Sequence, residues 1–153
     1  MGAGKTTIGR LLAMSLGIRF IDSDVLVIDR TGLTSAQVAA TTGVDELHRV
    51  ERAVLVAALA EEEPAVVAAA ASVVDEAEAR EALSRHRCVW VDASPATRRR
   101  RSGAHRRPID GDEQSRLDEA RRPYLERLCT AMVDTSAATP SQCIEAIRSS
   151  LSI

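Results

Sequence analysis

Aromatic residues are almost missing from this chain. Phe, Tyr and Trp occur once each in 153 residues, although apolar residues make up 45%. The core therefore has to come from Ala, Val, Leu and Ile, whose packing units are small. Cysteine is scarce as well. Cys88, Cys129 and Cys143 stand far apart, and an odd count without C-x-x-C spacing argues against a disulfide framework or a zinc site. Buried free thiols in a reducing cytoplasm are the expectation. No apolar run reaches ~18 residues, which leaves no membrane-spanning helix. The Gly-rich, polar start lacks the pattern of a signal peptide. A dominant charge is absent too: the net charge is −2 and the pI about 5.9, so there is no global attraction to nucleic acid or to an anionic membrane. With no repeat or low-complexity linker, residues 1–153 read as a single domain, long enough to bury a core without disulfides or metals.

What is present alternates between helical and strand signals. Ile8, Leu11, Leu12 and Leu16 predict a helix over Thr6 to Leu16, stopped by Gly17. Phe20-Ile21 predicts a short strand ending at Asp22-Ser23-Asp24. Val25 to Arg30 reads as a helix broken at Thr31-Gly32, and Ser35 to Ala40 as a helical turn ended before Gly43. Asp45 to Ala60 is a longer helix with Leu47, Val50, Val54, Leu55 and Ala58 on one face. After Pro64, Ala65 to Ala69 predicts a buried strand and Glu76 to Ser84 a helix. Cys88 to Val91 is a strand without polar alternation, as in a parallel sheet covered on both faces. Thr97 to Arg101 begins a basic helix, His105 to Gly111 is a polar loop, and Gln114 to Ala131 is a helix that Pro123 can kink. Met132 to Asp134 is a last strand and Ser141 to Leu151 a closing helix. This alternation implies an α/β fold, a doubly wound parallel sheet of about four or five strands with helices on both faces.

The chemistry is concentrated in Met1-Gly2-Ala3-Gly4-Lys5-Thr6-Thr7. Gly4-Lys5-Thr6 matches the end of G-x-x-x-x-G-K-[ST], with Gly2 and Ala3 at variable positions before it. Main-chain N–H groups of such a loop face phosphate oxygens, glycine permits the angles required, and the following helix adds its dipole. Lys5 reaches toward the β- and γ-phosphates of ATP, and the Thr6 hydroxyl toward Mg²⁺. A Gly-rich turn capping a helix is the plainer alternative. The first glycine of the pattern falls two positions before Met1, and the apolar strand that normally leads into such a loop is not in the sequence. A start set further upstream is expected.

From this loop to the C-terminus the chain resembles the shikimate kinases, ATP-dependent small-molecule kinases with a fold of the nucleoside-monophosphate-kinase type. The run G-A-G-K-T-T-I-G-R-L-L-A is similar to the family's opening, and Asp22-Ser23-Asp24 to its D-[ST]-D motif. The resemblance implies that Asp22 helps to hold Mg²⁺ and that Asp24 approaches the substrate hydroxyl as its base, tasks that suit a hard oxygen ligand and a proton acceptor. A helix N-cap by Ser23 or Asp24 is the plainer reading. Gly43 to Glu51 has the spacing of the family's G-E-x-x-F-R-x-x-E segment, with Val44, Leu47 and His48 in place of Glu, Phe and Arg, and this puts His48 and Glu51 at the substrate. The family's G-G-G falls on Ala70-Ala71-Ser72, where each Cβ discourages positive φ. A small-residue strand end is the alternative there. Arg107-Pro108 resembles the R-P-L of a closing lid, about residues 102–112, with Arg107 stabilising the transferring phosphoryl group. Arg101 matches a basic position near adenine, although Arg98 to Arg101 also fits a solvated helix face. Arg121 stands where the family clamps the substrate carboxylate, and Thr139-Pro140 lies in the loop that borders adenine.

The departures at His48, Val44 and Ala70 to Ser72 set three readings side by side. One is a kinase that phosphorylates shikimate with ATP and Mg²⁺, one a related kinase with another hydroxyl substrate, and one a catalytically impaired nucleotide binder. In each the chain is expected to be a cytoplasmic monomer with a small-molecule partner and neither nucleic acid nor membrane.

Overall fold

The computed structural model describes residues 2–102 and 111–153. Helix α1 (Lys5–Leu16) ends at Gly17, whose φ of 66° gives the left-handed cap that glycine accepts without strain. Strand β1 (Arg19–Asp22) leads directly into α2 (Ser23–Thr31). Helix α3 (Ser35–Thr42) begins with a capping box between Thr34 and Gln37. Helix α4 (Val44–Leu59) buries Leu47, Val50, Val54, Leu55 and Ala58, the face read from the sequence. Strand β2 (Ala65–Ala68) runs into a short 3₁₀ turn (Ala71–Asp75), followed by α5 (Ala77–Leu83). Strand β3 (Cys88–Asp92) and helix α6 (Pro95–Ser102) come next. Helix α7 (Gly111–Leu128), β4 (Cys129–Asp134) and α8 (Pro140–Leu151) complete the described chain.

Element types agree with the periodicity, and two boundaries do not. The predicted helix Gln114 to Ala131 stops at Leu128, because Cys129, Thr130 and Ala131 are claimed by main-chain pairing with β3. A tertiary partner thus overrides a local helical pattern. Ala70 to Ser72 do not end a strand either. Ala70 caps the 3₁₀ turn, and Ala71 and Ser72 lie within it. Helix α7 continues through Pro123, at the loss of one main-chain hydrogen bond.

All strand pairing among the described residues is parallel, and it falls into two separate pairs. β1 pairs with β2, from Arg19 opposite Ala65 to Asp22 opposite Ala68. β3 pairs with β4, from Cys88 opposite Cys129 to Asp92 opposite Asp134. β2 and β3 are not hydrogen-bonded to each other. Between them runs an apolar cavity of about 580 Å³, lined in part by Val66, Val67, Val89 and Val91.

Helices cover both faces, as expected. Val66, Val89 and Val91 pack toward α1 and α8, against Ile8, Leu12, Cys143, Ile147 and Leu151. Val67 packs the other way, with Leu55, Val73, Val74 and Ala79, and with Leu125 and Leu128 of α7. A third cluster, Val27, Val38, Leu47, Val50 and Val54, joins α2, α3 and α4. Only Cys143 of the three thiols is buried; Cys88 and Cys129 are half-buried. The expectation of three buried thiols therefore fails for two of them. Among the described residues no helix is long and apolar enough to cross a membrane.

Candidate active site

Three of the four strands end on aspartate, and β2 ends on Ala68. Asp22, Asp92 and Asp134 occupy the carboxyl ends of β1, β3 and β4, the edge of a parallel sheet where ligands bind. The N-terminal loop lies at this edge. Gly2 and Gly4 have φ of 77° and 93°, the region that strains any residue with a Cβ. Space is also short: a Cβ on Gly2 would fall 2.6 Å from the Arg98 carbonyl oxygen. Gly4 is the N-cap of α1, and no side chain caps the helix. The first-turn N–H groups and the positive end of the dipole are the main-chain equipment of a phosphate site.

A residue that the family resemblance placed at the last strand, without a role, fixes this loop. Thr135, just beyond β4 and buried, donates from Oγ1 to the Ala3 carbonyl at 2.8 Å. Arg101 of α6 donates from Nη1 to Thr135 Oγ1 at 2.7 Å, from Nη2 to the Thr135 carbonyl at 2.9 Å, and from Nη1 to the Gly2 carbonyl at 3.4 Å. Arg101 therefore ties the loop to the end of β4. In the run Arg98 to Arg101 only Arg98 is half-buried and the other three are exposed, but Arg98 and Arg101 are the two that engage the fold, on Asp118 and on the loop. The spacing of three on a helix separates the two roles. The signal available in the sequence was the hydroxyl residue one position past the last strand, but nothing marked it against the other threonines.

The two residues expected at Mg²⁺ are brought together. Thr6 donates from Oγ1 to Asp22 Oδ2 at 2.9 Å. Asp22 is also the N-cap of α2, accepting from the Asp24 amide at 3.1 Å. The cap is thus Asp22 and not Ser23 or Asp24, because the strand ends one residue earlier than that reading requires. A hydroxyl and one carboxylate fit Mg²⁺ carried on phosphate oxygens, which takes few protein ligands and keeps waters. Asp24 lies in the first turn of α2 and accepts from Ser35 Oγ at 3.3 Å.

Lys5 lines the cavity between the sheet pairs, together with Ala70, Ala71, Arg98, Asp118 and Arg121. Lys5 and Arg121 thus both border the cavity that separates the two strand pairs. Arg98 is paired with Asp118 at 2.7 Å. Arg121 is 7% exposed and forms a two-pronged pair with Asp75, Nε at 2.9 and 3.1 Å from its oxygens and Nη2 at 2.6 Å. Nothing in the sequence pointed to Asp75. Glu51 is buried and accepts from Ser72 Oγ, which fastens α4 to the 3₁₀ turn. His48, on the same helix, is half-buried. Asp24, His48 and Glu51 do not line the cleft that holds Lys5 and Arg121. Thr7 is exposed in the first turn of α1, and Pro140 is exposed at the first turn of α8, behind the capping box of Thr139 and Gln142. Arg107, Pro108 and most of the expected lid lie outside the described residues.

With this geometry in place, comparison with known proteins is specific. A family model described as shikimate kinase matches residues 1–152. A shikimate kinase from Mycobacterium tuberculosis (strain CDC 1551 / Oshkosh) is 37% identical over 158 residues, covering 99% of this chain and 89% of the relative. One from Mycobacterium avium (strain 104) is 37% identical over 156 residues, covering 98% and 88%. The solved shikimate kinase from Acinetobacter baumannii in complex with shikimate superposes with a TM-score of 0.87 at 27% identity, covering 99% of this chain and 89% of that one. The Aquifex aeolicus enzyme gives 0.81 at 26% identity, covering 99% and 92%.

Proposed function

Because the chain belongs to the shikimate kinase family, we propose that it moves the γ-phosphoryl group of ATP to a hydroxyl of shikimate, giving ADP and shikimate 3-phosphate. The observation that carries this reading is the assembly at the strand ends: an uncapped α1 behind Gly4 at positive φ, with the Thr6 hydroxyl on the Asp22 carboxylate.

The loop from Gly2 to Thr7 binds the triphosphate through main-chain N–H groups, with Lys5 countering charge as the phosphoryl group moves. Thr6 and Asp22 are the residues that would hold Mg²⁺, which supplies charge neutralisation on the phosphate oxygens when bound. Asp24 accepts the proton of the attacking hydroxyl. Of the residues assigned to the acceptor, Ala70, Ala71 and Arg121 border the cavity with Lys5, while His48 and Glu51 act from α4, Glu51 through Ser72; Arg107 is assigned to the transferring group. Pro140 and Arg101 border the adenine side. A monomer in the cytoplasm, without nucleic acid or membrane as partner, belongs to the same proposal and accords with a net charge of −2 and unpaired thiols.

The test is ADP release from MgATP, followed in a coupled assay with and without shikimate. Shikimate-dependent turnover is expected, and Lys5→Met removes it along with the ATP-induced rise in Tm. ATP binding with no shikimate-dependent ADP release sinks the proposal. Turnover with another hydroxylated acceptor alone would move it to a related small-molecule kinase. The engaged state of Arg121 and the Cβ atoms at Ala70 and Ala71 favour that second reading.

A further inference from the structure

The carboxylate clamp of this chain already holds a carboxylate. Asp75 takes the Nε–Nη2 edge of Arg121 with bonds of 2.6 to 3.1 Å. Asp75 closes the 3₁₀ turn, and that turn is pinned from both sides. Arg80 donates from Nη1 to the Val74 and Asp75 carbonyls at 2.7 and 2.8 Å, and its guanidinium lies 4.3 Å from the centroid of the Tyr124 ring on α7. The pair is therefore held by the same two elements it joins. Arg121 Nη1 makes no hydrogen bond to a described residue, and no buried polar side-chain atom among the described residues is without a partner. Among the described residues the Nη1–Nη2 edge is thus the one left for a ligand at the cavity that Arg121 and Lys5 border.

On the reading of Arg121 as the acceptor clamp, we propose that Asp75 is a specificity-determining residue: it makes the clamp charge-neutral, so that the site takes an uncharged polyhydroxylated ring alcohol nearly as well as the acid. An acid at the free edge would sit about 4 Å from the guanidinium charge and about 6–7 Å from the Asp75 carboxylate. Since Coulomb energy falls as 1/r, repulsion offsets roughly 60% of the attraction. A neutral oxygen or amide at that edge keeps its hydrogen bonds to Arg121 and meets no such repulsion. Hydrogen-bonding geometry is then retained as a recognition element and net charge is discarded.

The probes are shikimate and its carboxamide, compared by kcat/KM in the coupled assay and by Kd in calorimetry. In the wild-type protein the acid is expected to be favoured by less than about tenfold, and Asp75→Asn raises that preference by about tenfold, a repulsion discounted for partial solvent exposure. A wild-type preference for the acid above a hundredfold overturns the proposal without any variant being needed. So does an unchanged ratio in Asp75→Asn. Asp75→Glu, which keeps the charge, is expected to keep the low ratio, and an Asn-like ratio there would mean that the turn, not the charge, is at work. Arg121→Gln separates this inference from its premise. If that variant leaves acceptor affinity untouched, Arg121 is not the clamp. If it weakens the acid while Asp75→Asn changes nothing, the clamp stands and the role of Asp75 falls.

Discussion

Replacing Thr135 by valine tests whether the N-terminal loop is held from the far side of the fold. The two side chains have nearly the same shape, so the substitution removes one oxygen and adds no void. That oxygen donates to the Ala3 carbonyl at 2.8 Å and receives Arg101 at 2.7 Å. Arg101 keeps its bonds to the Thr135 and Gly2 carbonyls, so the guanidinium stays in place and loses one of three contacts. The Ala3 carbonyl keeps nothing comparable. Leaving such a buried acceptor unpaired costs about 1–3 kcal/mol. In a domain of this size each kcal/mol lowers Tm by roughly 2–4 °C, so a drop of about 2–12 °C is expected in a thermal scan. ATP affinity falls with it, by about tenfold for 1.4 kcal/mol of lost loop order, as read by calorimetry. Thr135→Ser retains the hydroxyl and is expected to lie within a degree or two of the parent. A valine variant with unchanged Tm and unchanged ATP affinity would refute the argument, because the loop would then be ordered without Thr135.

Three further outcomes are expected. In Gly9→Ala the new Cβ would fall 2.6 Å from Phe20 Cε2; overpacking of about 1–3 kcal/mol outweighs a helix-propensity gain of about 1 kcal/mol, so Tm falls by a few degrees, and a rise would show that the ring yields. Asp22→Asn removes the carboxylate beside Thr6 and raises the Mg²⁺ concentration needed for half-maximal activity about tenfold; an unchanged Mg²⁺ titration places the ion elsewhere. Burial, with the neighbouring Cys88, pushes the Cys129 thiol up to about 11. Its folded value lies above the unfolded one, so its contribution to stability is complete below about pH 8.5 and is lost as pH rises toward 11. At pH 8 iodoacetamide is expected to label Cys129 about a hundredfold more slowly in the native protein than in urea, and equal rates would contradict the burial.

The helices and strands were legible because the core is aliphatic and regular. The face of α4, the stop at Gly17 and the apolar run of β3, in which Trp90 is the one aromatic, each follow from local spacing. The phosphate loop was legible for a different reason: glycine at positive φ beside Lys and Thr is a local requirement written locally. Thr135 and Asp75 were not legible. Each works through a partner far away in the chain, the Ala3 carbonyl for one and Arg121 for the other, and neither residue type is unusual where it stands. The end of α7 failed on the same ground, since pairing with β3 converts Cys129 to Ala131 into strand. Arg121 was found through its family resemblance, but the carboxylate paired with it came from a turn whose own pattern suggested only small residues.

The ties that Thr135 and Arg101 make to the loop have a consequence for ligand binding. Lys5, Thr6 and Asp22 come from the first quarter of the chain, whereas Arg101 and Thr135 come from α6 and the end of β4. Arg101 and Thr135 reach the Gly2 and Ala3 carbonyls directly. A bound triphosphate would then act as a fastener between distant stretches of chain, and amide exchange at α6 and at the end of β4 would slow on ATP binding along with exchange in the loop itself.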